Sequence, residues 1–204
     1  MDIKKRLAEV IRYEAAAIAA IKVTDQFEKA VLALRDCKGK VLTAGIGKAG
    51  HVAQKFAATL CSTATPAAFI HPAEAAHGDL GMVAPNDCMV AFSTSGKSNE
   101  VLEMLELSRH LGLKTVIGIT SHPDSRLRDL SDIVIDMGIV TEPCPLLLTP
   151  TASIAVMLAI SDALALTLME LKGVTKEDYG LRHHGGYLGR KARTDNLPGI
   201  GQRD

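Results

Sequence analysis

From Ile3 onward, apolar side chains recur three and four residues apart (Ile3, Leu7, Val10, Ile11), and an alanine run then continues to about residue 20. That spacing lines one face of an α-helix. A second helix is expected from Asp25 to about Cys37, with Glu28 placed three residues after Asp25 as its capping-box partner. Beyond it the period changes. Short β-rich runs at Val41–Gly45, Ala67–Ile70, Cys88–Phe92, Lys114–Thr120 and Ile133–Met137 alternate with helical stretches at Ala49–Leu60, Asn99–Leu111 and Pro123–Leu130. A longer helix, Thr151–Lys172, is apolar around most of its circumference.

Five strands separated mostly by helices predict a parallel sheet covered on both faces. The expected fold class is α/β, a three-layer αβα sandwich of flavodoxin or Rossmann type. No linker, composition break or internal repeat divides the chain, so residues 1–193 read as one domain that includes the N-terminal helices of residues 1–37. Residues 194–204, TDNLPGIGQRD, read as a poorly ordered tail.

Composition narrows the function classes. With 47% hydrophobic residues and 23% charged, the chain has ample material for a core, which excludes disorder and small disulfide scaffolds. Its 23 basic and 23 acidic side chains balance to zero, so nothing pulls it overall toward nucleic acid or an anionic membrane. Aromatics at 3%, with no Trp, argue against base-stacking platforms. The apolar run Ile154–Met169 is 16 residues long and contains Asp162, short of the ~20 that span a bilayer. The N-terminus lacks the uninterrupted apolar stretch of a secretion signal. The 4 cysteines show no zinc-type spacing and read as reduced thiols in a cytosolic core.

In open parallel sheets, ligands bind outside the carboxyl ends of the strands. The loops to inspect are therefore Gly45–Gly50, His71–Asp79, Ser93–Glu100, Thr120–Ser125 and Gly138–Thr149. Gly45-Ile46-Gly47-Lys48-Ala49-Gly50 matches GxGxxG, but the second strand ends Phe69-Ile70-His71-Pro72, without the acid a dinucleotide site needs. The glycines instead admit a smaller phosphorylated ligand, with Lys48 facing it. Ser93-Thr94-Ser95-Gly96-Lys97-Ser98 places four hydroxyls around a glycine where a strand gives way to a helix, which suits a phosphate. Phe92 and Ala91 stand where a P-loop would carry its upstream glycine, so ATP is not indicated. His71–Asp79 holds two histidines and two acids without metal-ligand spacing, and general acid–base work is the alternative. Glu142 lies before Pro143, and Leu181–Arg190 combines His183 and His184 with three glycines.

Taken together, GIGKAGH, HPAEAAHGDLG, STSGKSNE, EPCPLLLTPTAS and RHHGGYLGRK resemble the sugar isomerase (SIS) domain of the D-arabinose-5-phosphate isomerase family, from about Lys38 to Arg193. The resemblance implies a cytoplasmic aldose–ketose isomerase, commonly a homotetramer, that uses neither metal nor organic cofactor. It assigns Lys48, His77, Glu100, Glu142 and His183 to the active site. Ser93, Ser95 and Ser98 would hold the substrate's phosphate, with Gly47 and Thr94 beside them. The regulatory CBS modules that many members carry would not fit in this length. Two departures bear on sugar preference: Lys97 stands where the family often has an acid, and His183-His184-Gly185-Gly186 replaces His-Pro-Gly-Gly.

The expected reaction interconverts D-arabinose 5-phosphate and D-ribulose 5-phosphate through an enediol. Lys48 would steady the enediolate oxygen, His77 and His183 would shuttle hydroxyl protons or open the ring, and Glu100 and Glu142 are carboxylate candidates for the C–H proton, unranked against the histidines. Another phosphosugar, such as a hexulose 6-phosphate, or a non-catalytic sensor role remains the alternative. Surplus apolar surface on the long helix and on the first 36 residues predicts a symmetric homo-oligomer with active sites near subunit boundaries.

Overall fold

Every residue of β1 (Val41–Gly45) and β3 (Cys88–Phe92) is buried, as befits strands covered on both faces. They form the centre of a five-stranded, wholly parallel sheet in the order β2-β1-β3-β4-β5, with β2 at Ala67–Ile70, β4 at Thr115–Thr120 and β5 at Ile133–Asp136. The computed structural model describes residues 1–183 and 185–192; His184 and the expected tail at 194–204 lie outside the described residues.

Side chains alternate across the sheet, and each face has its own core. Val41, Val90, Phe92, Ile117 and Ile119 share one cluster with α2 (Asp25–Asp36), α3 (Gly47–Ser62) and α7 (Ala152–Leu171). Leu42, Ala44, Met89, Ala91 and Val116 share the other with α5 (Asn99–His110) and α6 (Arg126–Leu130). The sandwich has the expected three layers. Thr43, a buried polar residue in β1, is satisfied by donating from its hydroxyl to the Ala53 carbonyl of α3 at 2.8 Å. Strand and helix approach so closely here that a Cβ on Gly50 would lie 2.6 Å from the Gly45 carbonyl oxygen.

Several boundaries differ from the sequence expectation. Thr24, not Asp25, precedes the first turn of α2, and no side-chain capping bond forms there. Short helices α4 (Pro72–Ala75), α8 (Lys176–Arg182) and α9 (Gly186–Ala192), with a 3₁₀ turn at Asp79–Met82, occupy stretches read as loop. The glycine-rich histidine segment is thus partly helical. α7 runs to 20 residues, within one residue of the expected Thr151–Lys172 at each end, and by length and composition alone could cross a membrane. Half of it is buried within the domain, where Val156, Met157, Ile160, Leu164 and Leu168 join the core.

The first helix, α1 (Ile3–Ala19), packs on α7 yet buries none of its residues. Ile3, Leu7 and Ile11 keep 66%, 60% and 68% of their surface exposed, leaving most of the apolar stripe open. The cysteines are all free thiols, but only Cys88 is a core residue and Cys61 is exposed, which corrects the expectation of four core thiols. Burial pushes the Cys88 thiol up to about 12.

Candidate active site

Strand order reverses between β1 and β3, and in doubly wound sheets that point opens a crevice at the carboxyl edge. Here it is a cleft of about 310 Å³. Ile46, Lys48 and Ala49 line it from the β1–α3 turn, Ser93, Thr94, Ser95 and Ser98 from the β3–α5 loop, and His122 from the turn after β4; Pro150 and Ile154 close it beside α7.

The hydroxyl loop is shaped by its own side chains. Ser93 Oγ accepts the Gly96 N–H at 3.1 Å and lies 3.1 Å from Ser98 Oγ, while Ser95 Oγ accepts the Lys97 N–H at 3.2 Å. Gly96 has φ of +61°, and a Cβ there would overlap the Ser125 side chain behind the loop. Ser98 stands at the N-cap of α5 without capping it through its side chain, so the amino end of that helix retains donors for an anion. The loop is tied to β4 by the Thr94 carbonyl, which receives Ser121 N–H at 3.0 Å, Thr120 Oγ1 at 3.3 Å and His122 Nδ1 at 3.1 Å.

Lys48 is the second residue of α3. It forms no ion pair among the described residues, which leaves its ammonium available to a ligand. Gly47 opens the helix with φ of +59°. Of the expected binding residues, Ser93, Thr94, Ser95 and Ser98 therefore converge with Lys48 within one chain, while Gly47 stands at the start of α3 and does not line the cleft.

The other expected residues do not line this cleft. His77 is exposed between α4 and the 3₁₀ turn. Glu100 faces a separate depression of about 190 Å³ with Pro72 and Glu103. His183 follows α8, with its ring stacked on Tyr179 at 3.9 Å between centroids and its Nδ1 2.9 Å from the Tyr179 carbonyl oxygen. Glu142 reaches the amino end of α7. Its Oε2 accepts the N–H groups of Thr151 and Ala152, both at 2.8 Å, and its Oε1 accepts the Ser153 N–H at 3.3 Å and the Ser153 hydroxyl. Burial works against the charge, but the Ser153 hydroxyl and the three backbone donors outweigh it and hold the carboxyl below its ordinary range.

His122 escaped the sequence reading. The strand-end rule pointed to its loop, Thr120–Ser125, but a single histidine in SHPDS carries no motif of its own. Among the described residues, no group of three or more His, Cys, Asp or Glu is placed to hold a metal ion.

Comparison with known proteins is consistent with this geometry. The chain is 45% identical over 170 residues to the Arabinose 5-phosphate isomerase KdsD of Pseudomonas aeruginosa, covering 83% of this chain but only 52% of that relative. A solved structure from Bacteroides fragilis NCTC 9343, described as a phosphosugar isomerase involved in capsule formation, superposes with a TM-score of 0.88 at 43% identity, covering 91% of this chain and 99% of that one. A second, from E. coli CFT073 and solved in complex with arabinose 5-phosphate, gives 0.85 at 36% identity, covering 88% of this chain and 96% of that one. The SIS domain family matches residues 33–167, from α2 through most of α7. With that span containing the sheet, the hydroxyl loop and Lys48, the chain belongs to the SIS domain family.

Proposed function

We propose that the protein is a phosphosugar aldose–ketose isomerase whose substrate pair is D-arabinose 5-phosphate and D-ribulose 5-phosphate. The observation that carries this reading is the convergence of Ser93, Ser95 and Ser98 with Lys48 in one cleft, on a chain 45% identical to an arabinose 5-phosphate isomerase. The hydroxyls and the amino end of α5 take the phosphate, and its binding energy positions the sugar. The base removes the proton from C2 of the aldose and returns it to C1, while the hydroxyl proton moves from O2 to O1. Lys48 stabilises the enediolate oxygen between these steps.

The proton carriers are His77, Glu100 and His183. Glu142, engaged by five donors and held ionised, makes a weak base and is better suited to positioning the start of α7 beside the cleft. Among the described residues of one chain the cleft offers only Lys48 and His122 as titratable groups, which supports a homotetramer in which a neighbouring copy completes the site. We place the reaction in the cytoplasm and assign it no metal or organic cofactor.

Purified protein should interconvert the two pentose phosphates when aldose and ketose are followed by NMR against a panel of phosphosugars. Activity should survive EDTA. Turnover confined to a hexulose 6-phosphate would replace the substrate, binding without turnover would make the protein a sensor, and loss to EDTA restored by a divalent ion would overturn the metal-free chemistry.

A further inference from the structure

Deepening the phosphosugar reading, on which it rests, we infer that His122 is a substrate-binding residue that grips the phosphate through Nε2 as an imidazolium, so that phosphate binding takes up a proton. The ring's attachment comes first. Nδ1 lies 3.1 Å from the Thr94 carbonyl oxygen, and a carbonyl can only accept, so Nδ1 is the protonated nitrogen. The opposite nitrogen, Nε2, has no partner among the described residues, although the residue lines the cleft.

Thr94 belongs to the loop that carries the hydroxyls, so the ring is fixed to the phosphate-binding element itself. A neutral ring held this way presents a lone pair at Nε2. That suits a hydroxyl donor and repels the oxygens of a phosphate dianion. Protonation turns the same nitrogen into a charged donor, and charge-assisted bonds to phosphate are the strong ones. A dianion in the cleft therefore draws a proton onto His122.

The charged groups around it are few. Lys48 lines the same cleft. Arg128 donates from Nε to the His122 carbonyl at 2.7 Å and pairs with Asp136 at 2.9 Å. Asp124 follows two residues on, and Pro150 and Ile154, the contributions from the α7 side, bring no charge.

The test is calorimetry at pH 7.5 in buffers of different ionisation enthalpy, where arabinose 5-phosphate is already a dianion and the proton that inorganic phosphate still carries in part is subtracted from its titration. Arabinose 5-phosphate and inorganic phosphate serve as separate ligands. Wild-type protein should take up a fraction of a proton with either ligand. His122→Gln should bind both at least fivefold more weakly, without that uptake. Its KM should rise by a similar factor with kcat within threefold of wild type, and His122→Ala should behave alike. Because the residue is exposed, both variants should keep the wild-type melting temperature. Equal proton uptake in wild type and His122→Gln overturns the proposal, as does a variant with unchanged affinity for both ligands. Wild-type affinity that falls on substitution without proton uptake at any stage makes Nε2 a hydroxyl acceptor instead. Absence of turnover with every phosphosugar defeats the isomerase reading alone, since the inorganic phosphate arm still decides His122.

Discussion

Ser93 and Ser95 stand two residues apart in one loop, yet their removal should read differently. Ser95→Ala takes away a donor to a charged ligand, a loss of about 1.5–3 kcal/mol. Most of it should appear as a raised KM with kcat little changed, because a phosphate contact is the same in ground and transition states. Ser93 is buried and also accepts the Gly96 N–H, so Ser93→Ala should lower the melting temperature as well. Steady-state kinetics beside thermal unfolding separates the two. Glu142 makes a further prediction. Its carboxyl titrates below its ordinary range in the folded chain, so its stabilisation is present above about pH 4.3 and fades as pH falls through the depressed value. Glu142→Gln should therefore be less stable than wild type at pH 7, by about 1 kcal/mol, and equal to it in strong acid. Urea unfolding at several pH values checks this. The hydroxyl loop and Lys48 were legible because their residue types repeat a known chemistry within a few positions. The helix-capping work of Glu142 was not, since its partners begin nine residues later and only the folded turn brings them together.

Among the elements, the five strands were legible to within about a residue, because buried parallel strands are short unbroken apolar runs. α4, α8 and α9 were not: each is 4 to 7 residues long, too short to display a helical period. The glycine motif after β1 shows a subtler gap. Its spacing suggests a ligand cradle, but Gly50 is also where the first turn of α3 meets the end of β1. Gly50→Ala would press a methyl against the Gly45 carbonyl oxygen, backbone against which little can give. We expect a loss of about 1–3 kcal/mol in unfolding free energy, with Lys48 displaced and kcat reduced along with stability. Wild-type stability in that variant would mean that strand and helix can separate without cost.

At the scale of the whole molecule, the exposed apolar positions of α1 adjoin a groove of about 700 Å³ between α1, α2 and α7 that includes Ile18, Val31 and Leu164. Apolar surface of this extent is expected to be covered by a second copy. Sedimentation should show an oligomer that Leu7→Asp with Ile11→Asp dissociates. Inactive Lys48→Ala and inactive His183→Ala protein, mixed and reassembled, should recover part of the activity if neighbouring copies complete one another's clefts. A fully active monomer at nanomolar concentration would end that idea. The position of α7 also matters during synthesis. Phe27, Val31, Phe56 and Ile135 share a cluster with Met157, Ile160 and Leu164, so one face of the sheet waits for a helix translated after all five strands. Until α7 leaves the ribosome, the nascent domain shows water an apolar sheet face that invites aggregation, and chaperones have their largest target during that interval.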